Sequence, residues 1–464
     1  MRIHLIGVCG TAMATLAALL KHRGHDVSGS DEHVYPPMSD FLAAEKINVL
    51  EGYRPDHVDT PDLVVVGNAI SRGNAELEAV LDRGLRYASL PETIRDQFLW
   101  DAHSIVIAGT HGKTTTTALT GWLLTAAGAD PTVLIGGIAR NFGTDGASYR
   151  IGTGKAFVIE GDEYDSAYFD KTAKFLKYLP DVAVINNIEF DHADIYADLD
   201  EVRLAFRRLV NLVPRNGLTL LGIDSADAAA LVKYARSRVQ TFGLSDGADW
   251  RAVDIRAGER TTFRVVRGGT DLGEFTMPLL GDHNVRNALV AIAVGADMGL
   301  DLGALRHALA EFKGVKRRLE VVGKTKGVTI YDDFAHHPTA VDETLRAVRR
   351  SSPGKRLWAI FEPRSASSCR RIFQDDFARA FAGADEVVIA SVFRSTLPDD
   401  QRLSESQLVQ DVAAKGVHAR HLPDVDAIVK QVSAEARDGD LIVIMSNGGF
   451  GGIHQKLLSA IERA

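Results

Sequence analysis

Short apolar runs with strand character alternate with helical patterns along almost the whole chain. This alternation is typical of stacked βαβ units, in which a helix connects two parallel strands. It predicts an α/β fold. The predicted strands are residues 2–6, 26–29, 63–66, 104–108, 156–160, 182–185, 217–221, 328–332, 355–361, 385–390 and 441–445, and the clearest helices are 11–23, 74–82 and one that begins near Lys113.

One stretch departs from this alternation. Residues 251–277 contain short alternating runs interrupted by glycines, a pattern typical of antiparallel hairpins. The alternation resumes after the basic segment 313–318. Because 464 residues exceed what one hydrophobic core usually organises, we predict several domains. The predicted limits are 1–103, 104–313 and 314–464.

The composition argues against several classes of protein. Apolar residues make up 45% of the chain and charged residues 25%, and the formal charge of -8 disfavours a nucleic-acid binder. Cys9 and Cys369 are too few for a disulfide scaffold. No run of about 18 apolar residues occurs, and the N-terminus lacks the features of a signal peptide. We therefore expect a cytoplasmic protein without membrane insertion.

The segment Gly109–Thr115 is the sharpest motif, because it follows a buried-looking strand and precedes a helix. Its glycines let backbone N–H groups surround phosphate oxygens, and the helix N-terminus adds partial positive charge. Lys113 can reach the β and γ oxygens, and the Thr114 hydroxyl can ligate Mg²⁺. Ile107 occupies the position of the usual first glycine, so this is a shortened phosphate loop. The alternative is a glycine turn capped by threonines.

Two acidic turns follow predicted strands, at residues 160–165 and 186–194. Open parallel sheets bind ligands at the carboxyl ends of their strands, and Mg²⁺ prefers hard oxygen ligands. Either turn alone is typical of a solvated loop. Together with a phosphate loop, the two turns predict a site for a nucleoside triphosphate and Mg²⁺.

Further polar residues lie later in the chain. His283, Asn284 and Asn287 open an apolar helical stretch, where they could contact a base or cap the helix. Arg317 and Arg318 could clamp a γ-phosphate, although a basic run in a linker is usually solvated. Both alternatives stay open at this point.

A second glycine turn, residues 7–13, follows the first strand and precedes the first helix. Asp31 lies 24 residues beyond Gly7, close to the position expected for a ribose-binding acid. The dinucleotide fingerprint nevertheless fails, because Cys9 occupies its second glycine position. The turn favours a nucleotide diphosphate, with a simple strand–helix turn as the alternative.

In this order, the motifs resemble the Mur ligases of peptidoglycan synthesis across the full length of the chain. The resemblance rests on the phosphate loop, the acidic turns, the spacing from Gly281 to Asn287, and long specific segments. Those segments are Val34–Ser39, Glu163–Lys171, Tyr331–Pro338, Phe361–Ser365 and Met445–His454.

The resemblance implies a UDP-binding first domain, a central ATPase domain and a Rossmann-like C-terminal domain that receives a peptide. For the UDP-sugar it implies contacts from Gly7, Cys9, Gly10, Thr11 and Asp31. For ATP it implies Gly109, Thr110, His111, Gly112, Lys113, Thr114 and Thr115 at the phosphates, with His283, Asn284, Asn287, Arg317 and Asp333 elsewhere on the nucleotide. For Mg²⁺ it implies Thr114, Glu160 and His192.

Within the family, the resemblance is strongest to the members that join the tripeptide L-Ala-γ-D-Glu-meso-diaminopimelate to UDP-N-acetylmuramate in peptidoglycan recycling. An acyl phosphate activates the sugar carboxylate, with Lys113, Arg317 and Mg²⁺ neutralising charge. His336 and His337 are candidate bases, with a structural role as the alternative. We expect the peptide to be bound by Arg364, Arg370, Arg371 and Asn447.

Three other functions are weighed against this one. The nearest is the family member that adds free L-alanine to the same UDP-sugar. A nicotinamide dehydrogenase built on the first glycine turn would leave the phosphate loop unexplained, and a non-catalytic nucleotide-binding module is the third. One departure from the family also matters. Several Mur ligases use a carbamoylated lysine that has no counterpart here, where Arg207 lies near the corresponding position.

Overall fold

The computed structural model describes residues 1–36, 38–393 and 396–464. Pro37 belongs to one of the segments that resemble the Mur ligases, and it lies outside the described residues. Two compact units make up the described chain. The first contains Met1–Glu189, Asp200–Phe242 and Val290–Leu305, and the second contains Phe190–Leu199, Gly243–Leu289 and Arg306–Ala464. Across the described ranges, no helix combines the length and apolarity needed to cross a membrane.

The N-terminal region forms a five-stranded parallel sheet in the order β3-β2-β1-β4-β5. Its strands are β1 (Arg2–Ile6), β2 (Asp26–Asp31), β3 (Asn48–Glu51), β4 (Leu63–Val66) and β5 (Tyr87–Ser89), and its helices are α1 (Thr11–His22), α2 (Met38–Ala44), α3 (Ala75–Asp82) and α4 (Leu90–Ile94). Every side chain of α1 from Met13 to Leu20 is buried. On α3, Leu77 and Val80 pack against Val64 and Val66 of β4. The apolar faces of these helices thus pack on the sheet, and the first glycine turn lies where β1 ends and α1 begins.

The central sheet is parallel except at one edge. Its elements are β6 (His103–Ala108), α5 (Lys113–Ala126), β7 (Thr132–Ala139), β8 (Ala147–Arg150), β9 (Ala156–Glu160), β12 (Val182–Ile185), α6 (Leu199–Leu212), β13 (Leu218–Gly222), α7 (Ala226–Ala229) and β14 (Arg238–Gly243), with a small hairpin of β10 (Asp165–Ala167) and β11 (Asp170–Ala173). Within the first unit the strand order is β14-β13-β12-β6-β9-β7-β8. Strand β6 therefore lies between β12 and β9, so the phosphate loop and both acidic turns emerge from three neighbouring strands.

Residues 250–277 form an antiparallel meander, as predicted. It consists of β15 (Trp250–Arg256), β16 (Thr261–Arg267) and β17 (Thr270–Met277), and it is followed by α8 (Asp282–Asp297) and α9 (Leu302–Ala310). Phe263 and Phe275 stack across two of its strands, with their ring centroids 6.2 Å apart. This pair is the kind of cross-strand contact that stabilises a hairpin.

The C-terminal sheet has the order β18-β19-β23-β20-β21-β22 and is parallel except for the pair β18–β19. Its strands are β18 (Glu320–Thr325), β19 (Val328–Asp333), β20 (Leu357–Phe361), β21 (Glu386–Ala390), β22 (His418–Leu422) and β23 (Leu441–Met445), and its helices are α10 (Pro338–Ser351), α11 (Gln374–Ala380), α12 (Glu405–Ala413), α13 (Val425–Glu435) and α14 (Ile453–Arg463). Short 3₁₀ or π turns complete the chain at Pro55–Val58, Arg95–Leu99, Lys174–Lys177, Ala230–Tyr234, Arg371–Phe373, Phe381–Gly383 and Phe450–Gly452.

Strand β20 shows why this sheet has helices on both faces. All five of its side chains are buried, so it cannot face water on either side. Leu357, Ala359 and Phe361 enter one hydrophobic cluster, whereas Trp358 and Ile360 enter another. Side chains alternate between the two faces of a strand, so neighbouring residues of β20 point to opposite sides of the sheet. Each cluster therefore packs one layer of helices against one face of the sheet.

The predicted α/β class and all of the predicted strands are confirmed, with ends that differ by one or two residues. Several strands have no counterpart in the prediction. They include β3, β8, β18 and β22, which carry polar residues and lie at or beside sheet edges. The domain limits near residues 103 and 314 stay predictions.

Candidate active site

The phosphate loop has the backbone that its glycines predict. Gly109 has a φ of 132°, and a Cβ at this position would lie 3.0 Å from the backbone nitrogen of Asn186. Gly112 has a φ of 82° and immediately precedes α5 without a side-chain cap. Only glycine adopts the first conformation readily at such close range. The loop therefore turns sharply and leaves the start of α5 available for an anion.

Two loop amides are used inside the protein. The N–H of Thr110 donates to the carbonyl of Asn187 over 3.0 Å, and the N–H of His111 donates to the side-chain oxygen of Asn187 over 2.7 Å. The sequence predicts that the whole segment 109–115 surrounds phosphate. In this conformation, the amides suited to that task are those at the first turn of α5, because a helix leaves its first N–H groups without intrahelical partners.

Lys113 lies in an acidic, nearly buried environment. Its Nζ donates to Glu163 over 2.8 Å and to the carbonyls of Gly109 and Thr110. Burial disfavours the charge of Lys113, but the carboxylates of Glu163, Asp162 and Glu160 outweigh that effect and raise its pKa. The ammonium is therefore held charged beside the loop, as phosphate binding requires.

The structure brings two of the predicted Mg²⁺ ligands together. The Thr114 hydroxyl donates to Glu160 over 3.0 Å, and the other Glu160 oxygen accepts from the N–H of Gly136 over 2.7 Å. A hydroxyl beside a carboxylate is a hard-oxygen donor set, which fits Mg²⁺. His192, the third predicted ligand, belongs to the second compact unit, so its part in this site stays a prediction.

His283, Asn284 and Asn287 form one polar network at the start of α8. Asn284 donates to the carbonyl of Leu280 over 2.8 Å and lies 3.0 Å from His283 Nε2, and Asn287 donates to Asn284 over 3.1 Å. Burial lowers the pKa of His283, the nearby Arg286 lowers it further, and the carboxylate of Glu343 opposes both. The three side chains thus act together, which fits base contact and helix-start stabilisation alike.

Asp333 and Arg317 are both committed to contacts within the C-terminal region. Asp333 is buried and accepts from the N–H groups of Leu319 and Ala335, and burial raises its pKa. The Arg317 guanidinium donates to Asp332 and to the carbonyls of Ser446 and Gly448. For Arg317 to clamp a phosphate, as the sequence predicts, it must give up some of these contacts.

The two candidate bases differ in what holds them. His337 caps α10, because its Nδ1 accepts from the N–H of Thr339 while its Nε2 lies 3.3 Å from the carbonyl of Phe190. His336 Nδ1 lies 3.0 Å from the carbonyl of Phe334. A carbonyl only accepts, so Nδ1 carries the hydrogen and Nε2 is the basic nitrogen of a neutral ring. The geometry therefore favours a structural role for His337 and leaves His336 as the stronger candidate.

A buried carboxylate accompanies these histidines. Asp191 Oδ2 lies 3.9 Å from His336 Nε2, and Asp191 Oδ1 accepts from the Ser367 hydroxyl over 2.5 Å. Burial raises the pKa of Asp191, but the charges of His192, His336 and His337 and the Ser367 hydrogen bond outweigh it, so the pKa falls well below its usual range. Asp191 is therefore an anion that stabilises protonated histidine nearby.

The first glycine turn has a different character. Asp31 accepts from the N–H of Cys9 over 2.8 Å and from the N–H of His33 over 3.0 Å. Gly10 precedes α1 without a side-chain cap, so the helix N-terminus that begins at Thr11 is open to an anion. Burial and then the charge of Asp31 raise the pKa of the Cys9 thiol to about 11. The predicted UDP-sugar residues thus share one turn.

Arg364 and Asn447 follow the carboxyl ends of the neighbouring strands β20 and β23, and Arg370 and Arg371 lie farther along the segment after β20. Arg364 lies over the Phe393 ring and 3.6 Å from Glu362. Among the described residues, Arg370 Nε and Asn447 Oδ1 are buried and have no hydrogen-bond partner. Arg371 is exposed. Buried polar atoms without partners are costly, and a polar ligand is one way to satisfy them.

Three family models match the chain in succession. They are the Mur ligase family catalytic domain at residues 2–98, the Mur ligase middle domain at 107–295 and the Mur ligase glutamate ligase domain at 317–448. The UDP-N-acetylmuramate--L-alanyl-gamma-D-glutamyl-meso-2,6-diaminoheptandioate ligase of Escherichia coli (strain K12) is 40% identical over 100% of this chain and 99% of its own length. The chain belongs to the Mur ligase family.

Two further relatives support this membership. The UDP-N-acetylmuramate--L-alanine ligase of Desulforapulum autotrophicum is 34% identical over 99% of this Mur ligase and 98% of its own length. The crystal structure of a murein peptide ligase from Psychrobacter arcticus 273-4 is 38% identical, with a TM-score of 0.73, over 100% of this chain and 99% of that one. The three-domain Mur ligase architecture implied by the resemblance is confirmed.

Arg207, which the sequence places near the expected position of the carbamoylated lysine of several Mur ligases, packs on an aromatic ring. It lies on α6, and its guanidinium lies over the Tyr234 ring at 4.2 Å from the centroid. A cation held on an aromatic face is not a metal ligand. Arg207 therefore has a packing role on α6.

Sequence reasoning missed several residues that shape the site. Glu163 lay in the acidic turn without an assigned role, yet it pairs with Lys113. Asn187 holds the phosphate loop, and Ser367 holds Asp191. Glu163 and Asn187 could have been suspected, because both follow strands that flank the loop strand. No local pattern points to Ser367.

Proposed function

We propose that this Mur ligase joins the carboxylate of UDP-N-acetylmuramate to the amine of L-alanyl-γ-D-glutamyl-meso-diaminopimelate, with ATP, in peptidoglycan recycling. The choice of the tripeptide over free L-alanine as the nucleophile rests on one observation. The full-length relative with that printed activity is 40% identical, whereas the L-alanine ligase from Desulforapulum autotrophicum is 34% identical over nearly the same length. The specific segments at the C-terminal sheet point the same way.

The first chemical step activates the carboxylate. A carboxylate oxygen of the sugar attacks the γ-phosphorus of ATP, the bond to the β-phosphate oxygen breaks, and ADP leaves. The product is an acyl phosphate. Because this transfer depends on position and on neutralising charge, its main agents are the Lys113 ammonium and the amides at the start of α5. Arg317 joins them when it exchanges its present carbonyl contacts for phosphate.

The second step forms the amide bond. The peptide's amine attacks the acyl carbon in its neutral form, inorganic phosphate leaves, and the amine loses a proton. His336 is the candidate acceptor, because its basic Nε2 faces the anion Asp191, which stabilises the resulting imidazolium. His337 is held as a helix cap, which makes His336 the stronger candidate.

The proposed cation site consists of Thr114, Glu160 and His192. When bound, Mg²⁺ would neutralise phosphate charge and orient the γ-phosphoryl group. The chain's own contribution is to hold the Thr114 hydroxyl against Glu160, which Gly136 fixes from the other side. We propose that His283, Asn284, Asn287 and Asp333 contact the rest of the nucleotide.

The two remaining substrates are assigned to opposite ends of the chain. Gly7, Cys9, Gly10, Thr11 and Asp31 would bind the UDP-sugar, since a capless helix start favours the diphosphate. Arg364, Arg370, Arg371 and Asn447 would bind the tripeptide, whose several carboxylates need donors. The cytoplasmic location predicted from the sequence is part of this proposal, because ATP and a nucleotide sugar are the reactants.

The test supplies ATP, Mg²⁺ and UDP-N-acetylmuramate with either the tripeptide or free L-alanine at equal concentration. Phosphate release is compared. We expect faster release with the tripeptide, because both nucleophiles present an alanine amine and only the tripeptide offers carboxylates to the arginines. Faster release with L-alanine would assign this chain to de novo synthesis instead.

A further inference from the structure

The turn Phe190–His192 is held by the C-terminal region at three points. The Phe190 carbonyl lies 3.3 Å from His337 Nε2, and the Phe190 ring stacks on Phe373 at 6.3 Å. The third point is the hydrogen bond from the Ser367 hydroxyl to Asp191. All of these residues belong to the second compact unit. The turn that presents a proposed Mg²⁺ ligand is thus fixed by elements far away in sequence.

The Asp191–Ser367 contact is the polar part of this attachment. Asp191 is 5% exposed and Ser367 is 2% exposed, so water competes little for their hydrogen bond. The same Asp191 oxygen accepts from the N–H of His192 over 2.7 Å. One carboxylate oxygen therefore fixes the backbone of His192 and the side chain of Ser367 together.

Ser367 is equally tied to the proposed peptide residues. Its backbone carbonyl accepts from the N–H of Arg370 over 2.9 Å. The neighbouring Ser368 hydroxyl accepts from the N–H of Arg364 over 3.0 Å. The loop that presents both arginines is thus built around these serines, and Ser367 is the one that reaches Asp191.

We infer that Asp191 and Ser367 are positioning residues that join the turn presenting His192 to the loop presenting Arg364 and Arg370. This inference rests on the proposed function. A ligand that orders either segment should then order the other, so cation binding and tripeptide binding should strengthen each other. Such coupling is reciprocal by thermodynamic necessity.

The experiment measures Mn²⁺ binding to the full-length protein by calorimetry, with UDP-N-acetylmuramate and a non-hydrolysable ATP analogue present. Mn²⁺ serves as the probe, and each titration is run with and without the tripeptide. In the wild type we expect the tripeptide to lower the Mn²⁺ Kd about fivefold, the low end of typical coupling. In Ser367→Ala the ratio should fall to about one.

Two variants separate this contact from general loosening of the loop. Ser365→Ala removes a hydroxyl of the same loop that bonds Ser368 rather than Asp191, and it should keep the coupling. Ser367→Thr keeps the hydroxyl and should keep the coupling too. An unchanged ratio in Ser367→Ala, or no coupling in the wild type although the tripeptide binds, would overturn the inference. A tripeptide that does not bind the wild type at all would overturn the proposed function, and the inference with it.

Discussion

The first glycine turn and the phosphate loop are built from the same local device. Each follows the carboxyl end of a parallel strand and precedes a helix, and each contains a glycine with positive φ, at Gly7 (83°) and Gly109 (132°). Neither helix has a side-chain cap at its start. By backbone alone, both turns are suited to bind phosphate groups.

The two turns differ in the side chains around them, and this difference indicates different roles. The phosphate loop carries Lys113, whose ammonium is surrounded by the carboxylates of Glu163 and its neighbours. The first turn carries no basic side chain, and its polar partner is Asp31, which fixes the turn through the N–H of Cys9. A positive charge beside the phosphates stabilises a transition state, whereas backbone amides alone suffice for binding. The comparison implies that the phosphate loop takes part in the reaction, whereas the first glycine turn only binds its ligand.

The largest effect on turnover should come from removing the positive charge of Lys113 from the phosphate loop. Lys113→Ala should reduce turnover at least about 10²-fold, because one preorganised charge contact is lost at a developing anion. Binding of the UDP-sugar, measured by calorimetry, should survive, since it is assigned to the other turn. Lys21→Ala, on the helix after the first turn, is the matched control with normal turnover. Near-normal phosphate release by Lys113→Ala would remove the distinction between the two turns.

A smaller effect should follow at the proposed cation site. Glu160→Ala and His192→Ala should each raise the Mg²⁺ concentration for half-maximal activity by roughly tenfold, since each removes a proposed ligand. The measurement is a magnesium titration at saturating ATP. If only Glu160→Ala shifts the midpoint, His192 does not share the site. If neither does, Glu160 and His192 do not bind the cation.

At the first glycine turn, Asp31→Asn should weaken binding of the UDP-sugar without changing the rate of the chemical step. The two amides donate to different oxygens of Asp31, and Asn offers only one acceptor oxygen, so one of these hydrogen bonds is lost at a cost of about 1 kcal/mol. The KM for the UDP-sugar should therefore rise about fivefold while kcat changes little. Steady-state kinetics at saturating ATP and tripeptide measure both constants. A fall in kcat of the size expected for Lys113→Ala would show that this turn takes part in the reaction.

The mildest prediction concerns the reactivity of the Cys9 thiol. Its raised pKa, about 11, means that the reactive thiolate is scarce at neutral pH and grows about tenfold per pH unit until the pH reaches that value. Alkylation by iodoacetamide, followed by mass spectrometry, measures this profile. Asp31→Asn should speed alkylation, because the Asp31 charge is one cause of the shift. Cys9→Ser reports the background from the buried Cys369. A rate that levels off near pH 8.5 would contradict the assignment.

Sequence patterns predicted the interiors of the sheets better than their edges. Strand β20 is apolar at every position because both of its faces are covered, so its signal is strong. Strand β22, with the sequence HARHL, lies at a sheet edge and carries polar side chains that break the pattern. Edge strands are short and polar for physical reasons, since an exposed apolar edge promotes aggregation. They are therefore hard to recognise.

The residues of the candidate site also differ in how well the sequence predicts them. Lys113 and Thr114 were predicted because their roles follow from a contiguous segment with a known backbone function. Asp191 and Ser367 are 176 residues apart, and only the fold brings them together. The capping role of His337 likewise depends on where α10 begins and on a carbonyl from another part of the chain. Tertiary contacts of this kind leave no local pattern in the sequence.

The central claim is that the phosphate loop activates the sugar carboxylate as an acyl phosphate. It can be tested with UDP-N-acetylmuramate that carries ¹⁸O in both carboxylate oxygens, incubated with ATP, Mg²⁺ and the tripeptide. The released phosphate is then analysed by mass spectrometry. The mechanism predicts one ¹⁸O atom in each phosphate and one in the new amide, because a carboxylate oxygen bridges to the γ-phosphorus before the carbon–oxygen bond breaks. Phosphate without ¹⁸O would contradict the mechanism.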